Sequence, residues 1–291
     1  SDGNNEIPTM EHVNPFRDIP CHKDIYYFYY VATKAGIIQQ DDRSGILCAM
    51  LLKWIRDGYV NFTMEPGTGW FKKDKYEIDF SGEIPTENIL EEKMLGYFRE
   101  ASGDNQILEN KEFERWCKRN YEEIEDWFDD LIEFEEKELK EKGLMKKQTT
   151  YKKFLGIDIA NEKVVYEPSF RDDIIYTKGL KRFLLDFSSI EEKEVIEVKL
   201  WEEYLMFASI LGIADEVEKQ IGKLCPEFNQ YSNIDYTYTM LATRTFMYGG
   251  VRSAANAYSA AHSSSYSGGG GFSSFGGGGG GFSGGGGGGS R

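Results

Sequence analysis

Little in this sequence announces a chemistry. Only three histidines occur, His12, His22 and His262, far apart and two of them near the ends. They leave no Ser-His-Asp arrangement, and no G-x-S-x-G elbow is present. The four cysteines, Cys21, Cys48, Cys117 and Cys225, show no C-x-x-C spacing. That argues against a disulfide framework and for a reducing compartment. Cys48 and Cys117 fall in apolar helical patterns, where a free thiol behaves as a small hydrophobe. Cys21 and His22 are neighbours, but no further ligand stands at a suitable spacing for a metal. No metal and no cofactor is expected. The glycines ahead of the C-terminal tail are isolated, so there is no phosphate-cradling loop. No apolar run reaches the roughly 18 residues of a membrane span; the longest, Leu200 to Ala214, carries Glu202 and Glu203. The chain starts Ser-Asp-Gly without an initiator Met. It reads as a fragment with room for a membrane segment upstream.

What is abundant is aromatic and acidic. The 19 Phe, 18 Tyr and 5 Trp supply ample core material, which a disordered chain lacks. Formal charge is −15, from 49 acids against 34 bases. The stretch 85–145 holds 19 Asp/Glu and 9 Lys/Arg, so it carries most of the imbalance. Such a surface repels phosphate backbones and suits a basic protein partner.

Periodicity predicts a mainly α (α+β) chain. An extended segment, 1–20, contains Pro8, Pro15 and Pro20. A helix from Lys23 then stops at Gly36. Ser44 is placed to cap a second helix whose Leu47, Met50, Leu51 and Trp54 share one face. Tyr59 to Met64 and Trp70 to Phe80 read as a hairpin, which makes 21–84 a winged-helix-like module. Residues 85–170 repeat that order: two amphipathic helices, the second capped by Asn110, a long helix from Glu122, and a second hairpin wing in which Thr149 to Ile159 and Glu162 to Glu167 pair across Ala160-Asn161. LLKWIRDGYVNF and KELKEKGLMKK share a helix–Gly–apolar junction, as tandem modules would. Residues 171–248 read as a helical subdomain, with 229–248 a strand or irregular segment. The remainder, 249–291, changes to Ala/Ser and then Gly/Phe/Ser and reads as a disordered Gly-rich tail.

The candidate interaction surface is aromatic and acidic. Consecutive Tyr26, Tyr27, Phe28, Tyr29 and Tyr30 must point all round their helix, so they are expected to be buried inside the fold or, second, to meet a neighbouring module or a partner. Along the acidic helix, Glu122, Glu125, Asp126, Asp129, Asp130 and Glu133 offer a negative face. Glu135, Glu136 and Glu138 have no histidine, metal motif or pocket to single them out as acid and base. Two alternatives remain. One is a winged-helix DNA-binding regulator using Arg43, Lys53, Arg56, Lys72, Lys73 and Lys75. It is disfavoured because residues 122–141, in the recognition-helix position, carry 11 acids and 2 lysines. The other is an enzyme with a site at a module interface.

One resemblance covers nearly the whole chain. Phe16-Arg17-Asp18-Ile19-Pro20, LLKWIRDGYVNF, LKRFLLDFSSIEE, LWEEYLMFASILGIADEV and the Gly/Phe/Ser tail follow one another. This succession resembles the cytosolic C-terminal region of the YciQ-like predicted membrane proteins, a bacterial family. The resemblance implies a module tethered at the cytoplasmic face of the cell membrane, and with the acidic and aromatic surfaces the leading expectation is a non-enzymatic interaction or scaffold region. It supplies no catalytic residues.

Overall fold

The computed structural model describes residues 7–70, 73–186, 198–224 and 236–263. After a one-turn 3-10 segment at Cys21–Lys23, the chain forms α1 (Ile25–Lys34) and α2 (Gly45–Arg56), then strands β1 (Asn61–Glu65) and β2 (Lys75–Asp79). Next come α3 (Ile89–Ser102), β3 (Ile107–Glu109), α4 (Asn110–Arg119) and α5 (Tyr121–Glu141). A long hairpin, β4 (Met145–Phe154) and β5 (Ile157–Tyr166), leads into α6 (Pro168–Leu185), α7 (Val198–Ile210), α8 (Ala214–Leu224) and α9 (Tyr236–Ser263).

α1 and α2 are buried on nearly every side, as helices apolar all round must be. α1 packs against α2, α5, α6 and α7, while α2 packs against α7 and α9. One apolar cluster extends from Ile19 to Ala254. Asp24 caps α1, its Oδ1 accepting from the backbone N–H of Tyr26 at 2.9 Å and of Tyr27 at 3.2 Å. Ser44 does not cap α2 in that way. A 3-10 turn at Gln40–Asp42 precedes it and its own backbone is helical, so the N-terminus is approached as a continuing coil. Nor does Asn110 cap α4: Glu109 and Glu112 form a reciprocal capping box there. Asn110 instead accepts from Tyr76 N–H at 3.3 Å.

The junction shared by LLKWIRDGYVNF and KELKEKGLMKK has a local cause. Gly58 and Gly143 have φ of 79° and 71°. Tyr59 N–H reaches back to Trp54 C=O, as Leu144 N–H does to Leu139 C=O. These are Schellman caps. Ile37 to Ala32 and Ile213 to Ala208 close α1 and α7 identically. The likeness is therefore helix-termination chemistry common to four helix ends, not a signature of duplication.

Three elements differ from expectation, the first being the second hairpin, which turns at Leu155-Gly156 and pairs Tyr151 with Ala160 instead of turning at Ala160-Asn161. β3 pairs antiparallel with β2, Ile78 opposite Leu108, so the three-stranded sheet β1–β2–β3 crosses the expected boundary at 84/85. At three residues β3 is too short to show a period. Residues 236–263, read in part as strand and in part as tail, form the 28-residue helix α9. It lies against α4, α5 and α2. Its Gly249-Gly250 pair does not break it: a Cβ on Gly250 would sit 2.1 Å from the Phe113 ring, so glycine is there for close approach. The tail proper, 264–291, lies outside the described residues.

A second close approach sets α2 on α7. A Cβ on Gly45 would meet the Ser209 carbonyl oxygen at 2.1 Å. Gly45→Ala should therefore lower stability by about 1–3 kcal/mol through overpacking, although alanine is the better helix former. A urea midpoint equal to or above that of the parent chain would refute the tight crossing.

Candidate functional site

The residues ahead of α1 are unusual. Cys21, His22 and Lys23 have φ of 59°, 55° and 57°. Three successive left-handed side-chain-bearing residues cost about 1–2 kcal/mol each, and such strain concentrates at functional sites. Surrounding contacts hold the turn. Cys21 is buried, its sulfur 3.9 Å from Thr177 Oγ1 on α6, and Lys23 Nζ is 2.8 Å from Glu203 on α7.

The turn forms one wall of a cleft of about 580 Å³. α1 contributes Tyr26 and Tyr27, with Asp24 at its cap; α5 contributes Glu135 and Glu138, and α6 contributes Asp173. Glu87, His22 and Lys142 also face it. Tyr27 donates its hydroxyl to Asp173 Oδ2 at 2.6 Å.

Glu135 is the group that the fold does not explain. Its residue surface is 5% exposed. Among the described residues its carboxyl makes no hydrogen bond and no ion pair, and its oxygens open onto the cleft rather than into the packed core. Burial, reinforced by the carboxylates of Asp24 and Glu138 and opposed by Lys142, pushes it up to about 8. At neutral pH it holds its proton. Burial, with Asp173 adding to it, also raises the Cys21 thiol far above its ordinary value, so this cysteine is not a thiolate. Five carboxyl groups face one cavity, and a cationic group entering there would draw off the Glu135 proton and pair with the carboxylate.

The tyrosines divide unevenly. Tyr26, Tyr29 and Tyr30 belong to the core, which corrects their reading as a partner surface: a central helix must bury all its faces. Tyr27 is half-buried and lines the cleft with Tyr26. On α5, Glu122, Asp126, Asp129 and Glu133 are exposed along one side. They line an outer groove of about 670 Å³, where Lys93 bonds Asp130 at 2.8 Å. Glu125 is not part of that free face, since it forms a two-bond pair with the buried Arg43, whose guanidinium lies 4.7 Å from the Phe128 ring centroid.

That pair also corrects the DNA set. Arg43 is spent on Glu125, and Lys53 is ion-paired with the buried Glu91 and, at 3.2 Å, with Glu87. Arg56 bonds Asp57, and Lys75 bonds Glu77 and Glu109. Lys73 is exposed in the β1–β2 connection; Lys72 lies outside the described residues. Phosphate contacts need free cations, and Arg43 and Lys53 cannot turn outward without leaving the half-buried Glu125 and the buried Glu91 carboxylates unpaired.

The cleft brings together the two helices singled out in the sequence, α1 and α5, but on their inner sides. Asp24 and Asp173 carry no sequence signal. Glu135 does carry one. It continues the apolar stripe of Ile124, Trp127, Phe128, Leu131 and Leu139, and a carboxyl at a core position of an amphipathic helix is an anomaly. Among the described residues no group of three or more His, Cys, Asp or Glu side chains is placed to hold a metal.

Residues 174–221 match the family model described as the C-terminal domain of a predicted membrane protein (DUF2207). The matched stretch contains LKRFLLDFSSIEE and LWEEYLMFASILGIADEV, two of the segments that carried the resemblance. No curated protein and no solved structure matches the chain. Among the described residues no helix is long and apolar enough to cross a membrane.

Proposed function

We propose that this chain is a non-enzymatic recognition module of a membrane protein, held at the cytoplasmic face, and that its cleft receives a cationic group from a basic protein partner. The observation that carries the reading is Glu135: a buried, unpaired carboxyl facing a cavity with Asp24, Glu87, Glu138 and Asp173. A lysine or arginine side chain supplies the missing partner and recovers the desolvation cost. The exposed face of α5 is charge-complementary to the rest of such a partner. We read binding rather than catalysis because Cys21, which with Ser169 is one of two nucleophile-type side chains lining the cleft, stays protonated and bonds Thr177.

Linkage makes this testable. A bound cation favours ionised Glu135, so binding releases a proton and affinity rises with pH until the free carboxyl has itself ionised. Calorimetric titration with a hexalysine peptide is expected to show roughly tenfold tighter binding at about pH 8 than at about pH 6. Glu135→Gln should flatten that dependence, whereas Asp126→Lys with Asp129→Lys should weaken binding equally at both pH values. The same pH dependence in Glu135→Gln as in the parent would sink the assignment of the cleft.

A further inference from the structure

The β4–β5 hairpin stands out from the body with no second layer. Every residue from Lys146 to Val165 is exposed. A two-stranded ribbon is marginal in water by itself, and this one is tied down at its base, where Tyr166 hydroxyl meets Tyr30 hydroxyl at 2.9 Å. Yet its free end is apolar. Phe154 pairs with Ile157 across a two-residue turn, Leu155-Gly156, and Lys152 with Ile159. Phe154, Leu155 and Ile157 are 65%, 88% and 68% exposed.

The turn sharpens the point. Leu155 and Gly156 have φ of 52° and 82°, as in the hairpin turns that favour Asn-Gly or Asp-Gly. A leucine in the first position accepts left-handed strain to place an isobutyl group in water. Neither packing nor turn chemistry explains that choice.

Charge identifies the occupant. Residues 145–166 carry Lys146, Lys147, Lys152, Lys153 and Lys163 against Asp158 and Glu162, a positive arm on a chain of net charge −15. Among the described residues none of the five lysines is ion-paired. At about 3.3 Å per residue, Lys152 and Lys153 lie roughly 7–10 Å behind the apex. An apolar element seated in a membrane interface reaches about 5–10 Å deep, so these two ammonium groups fall at headgroup level. The tip is a convex knob, shaped to enter a soft apolar phase.

We propose that the β4–β5 tip inserts into an anionic phospholipid surface, with Phe154, Leu155 and Ile157 in the acyl boundary and Lys152 and Lys153 on the headgroups. The proposal stands apart from the cleft reading and uses none of its residues.

The test is co-sedimentation of the full chain with vesicles of 7:3 phosphatidylcholine:phosphatidylserine. Leu155→Asn suits the turn better than the natural residue, so it should fold with an unchanged or higher melting temperature. Vesicle partitioning should nevertheless fall about tenfold or more. Lys152→Glu with Lys153→Glu should lower partitioning by a similar factor, and vesicles of phosphatidylcholine alone should bind the parent chain as weakly as they bind that variant. The proposal is overturned if Leu155→Asn partitions like the parent. It is equally overturned if the tip variants change only binding to a 20-base-pair DNA duplex, or only a concentration-dependent self-association seen by sedimentation.

Discussion

Replacing Lys53 with methionine is expected to cost on the order of 3–5 kcal/mol, because it strands a carboxylate inside the protein. Glu91 is fully buried. Its Oε1 receives Lys53 Nζ and, at 2.7 Å, the Tyr26 hydroxyl; its Oε2 receives Glu87 N–H at 2.9 Å. The methionine keeps the aliphatic volume and removes the one cation, leaving two neutral donors for a full negative charge. Most of the loss is thus the penalty of an unpaired ion and not the worth of the ion pair. That distinction is measurable. Adding Glu91→Gln to Lys53→Met should restore at least half of the lost stability in urea denaturation, since the amide keeps a hydrogen-bonding shape without the charge. A double variant no more stable than the single one would mean that the lysine stem, not its charge, holds α2 against α3.

Glu135→Gln should act in the opposite direction and in a pH-dependent manner. The native carboxyl is pushed up to about 8 from an ordinary value of 4.5. Below about 4.5 both folded and unfolded chains hold the proton, and the group is neutral in its effect. Between these values the unfolded chain ionises while the folded chain stays protonated, so rising pH drains native stability. The accumulated loss by about pH 8 is on the order of 4 kcal/mol. Glutamine never ionises and escapes it. The variant should therefore melt close to the parent near pH 5.5 and roughly 10 °C higher near pH 8.5. A constant difference across that range would show that Glu135 titrates normally and that the cleft does not hold a protonated carboxyl.

These two residues mark where sequence reading succeeds and where it stops. Lys53 is the single charged residue of GILCAMLLKWIR before the terminal Arg56. Its position suggests a solvated end of α2, and a phosphate-binding role follows naturally from that. The structure instead packs α3 beside it, and the cation turns inward to Glu91. Glu135 shows the converse. The sequence leaves Glu135 with no histidine, metal motif or pocket to single it out among the acids of α5, and its burial alone does not make a site. The cavity arises because the strained Cys21–Lys23 turn and α6, distant in sequence, close around it.

Local chemistry was readable from the chain wherever the deciding atoms lie within a few residues. Gly36, Gly58, Gly143 and Gly212 end helices because a left-handed backbone there lets the next N–H reach back five residues. The stripe of α2 follows from a 3.6-residue period, and a hairpin in the 145–166 stretch follows from its strand-like runs, but its turn lies at Leu155-Gly156 and not at the expected Ala160-Asn161. Tertiary structure decided the rest. Gly249-Gly250 could remain helical only because Phe113 occupies the space where side chains would have been, and β3 exists only because β2 offers it a ladder. Whether a tyrosine, lysine or carboxylate of α1, α2 or α5 faces water, a partner or an opposite charge depends on which helix lies across it, and the sequence period specifies a buried face without naming its neighbour.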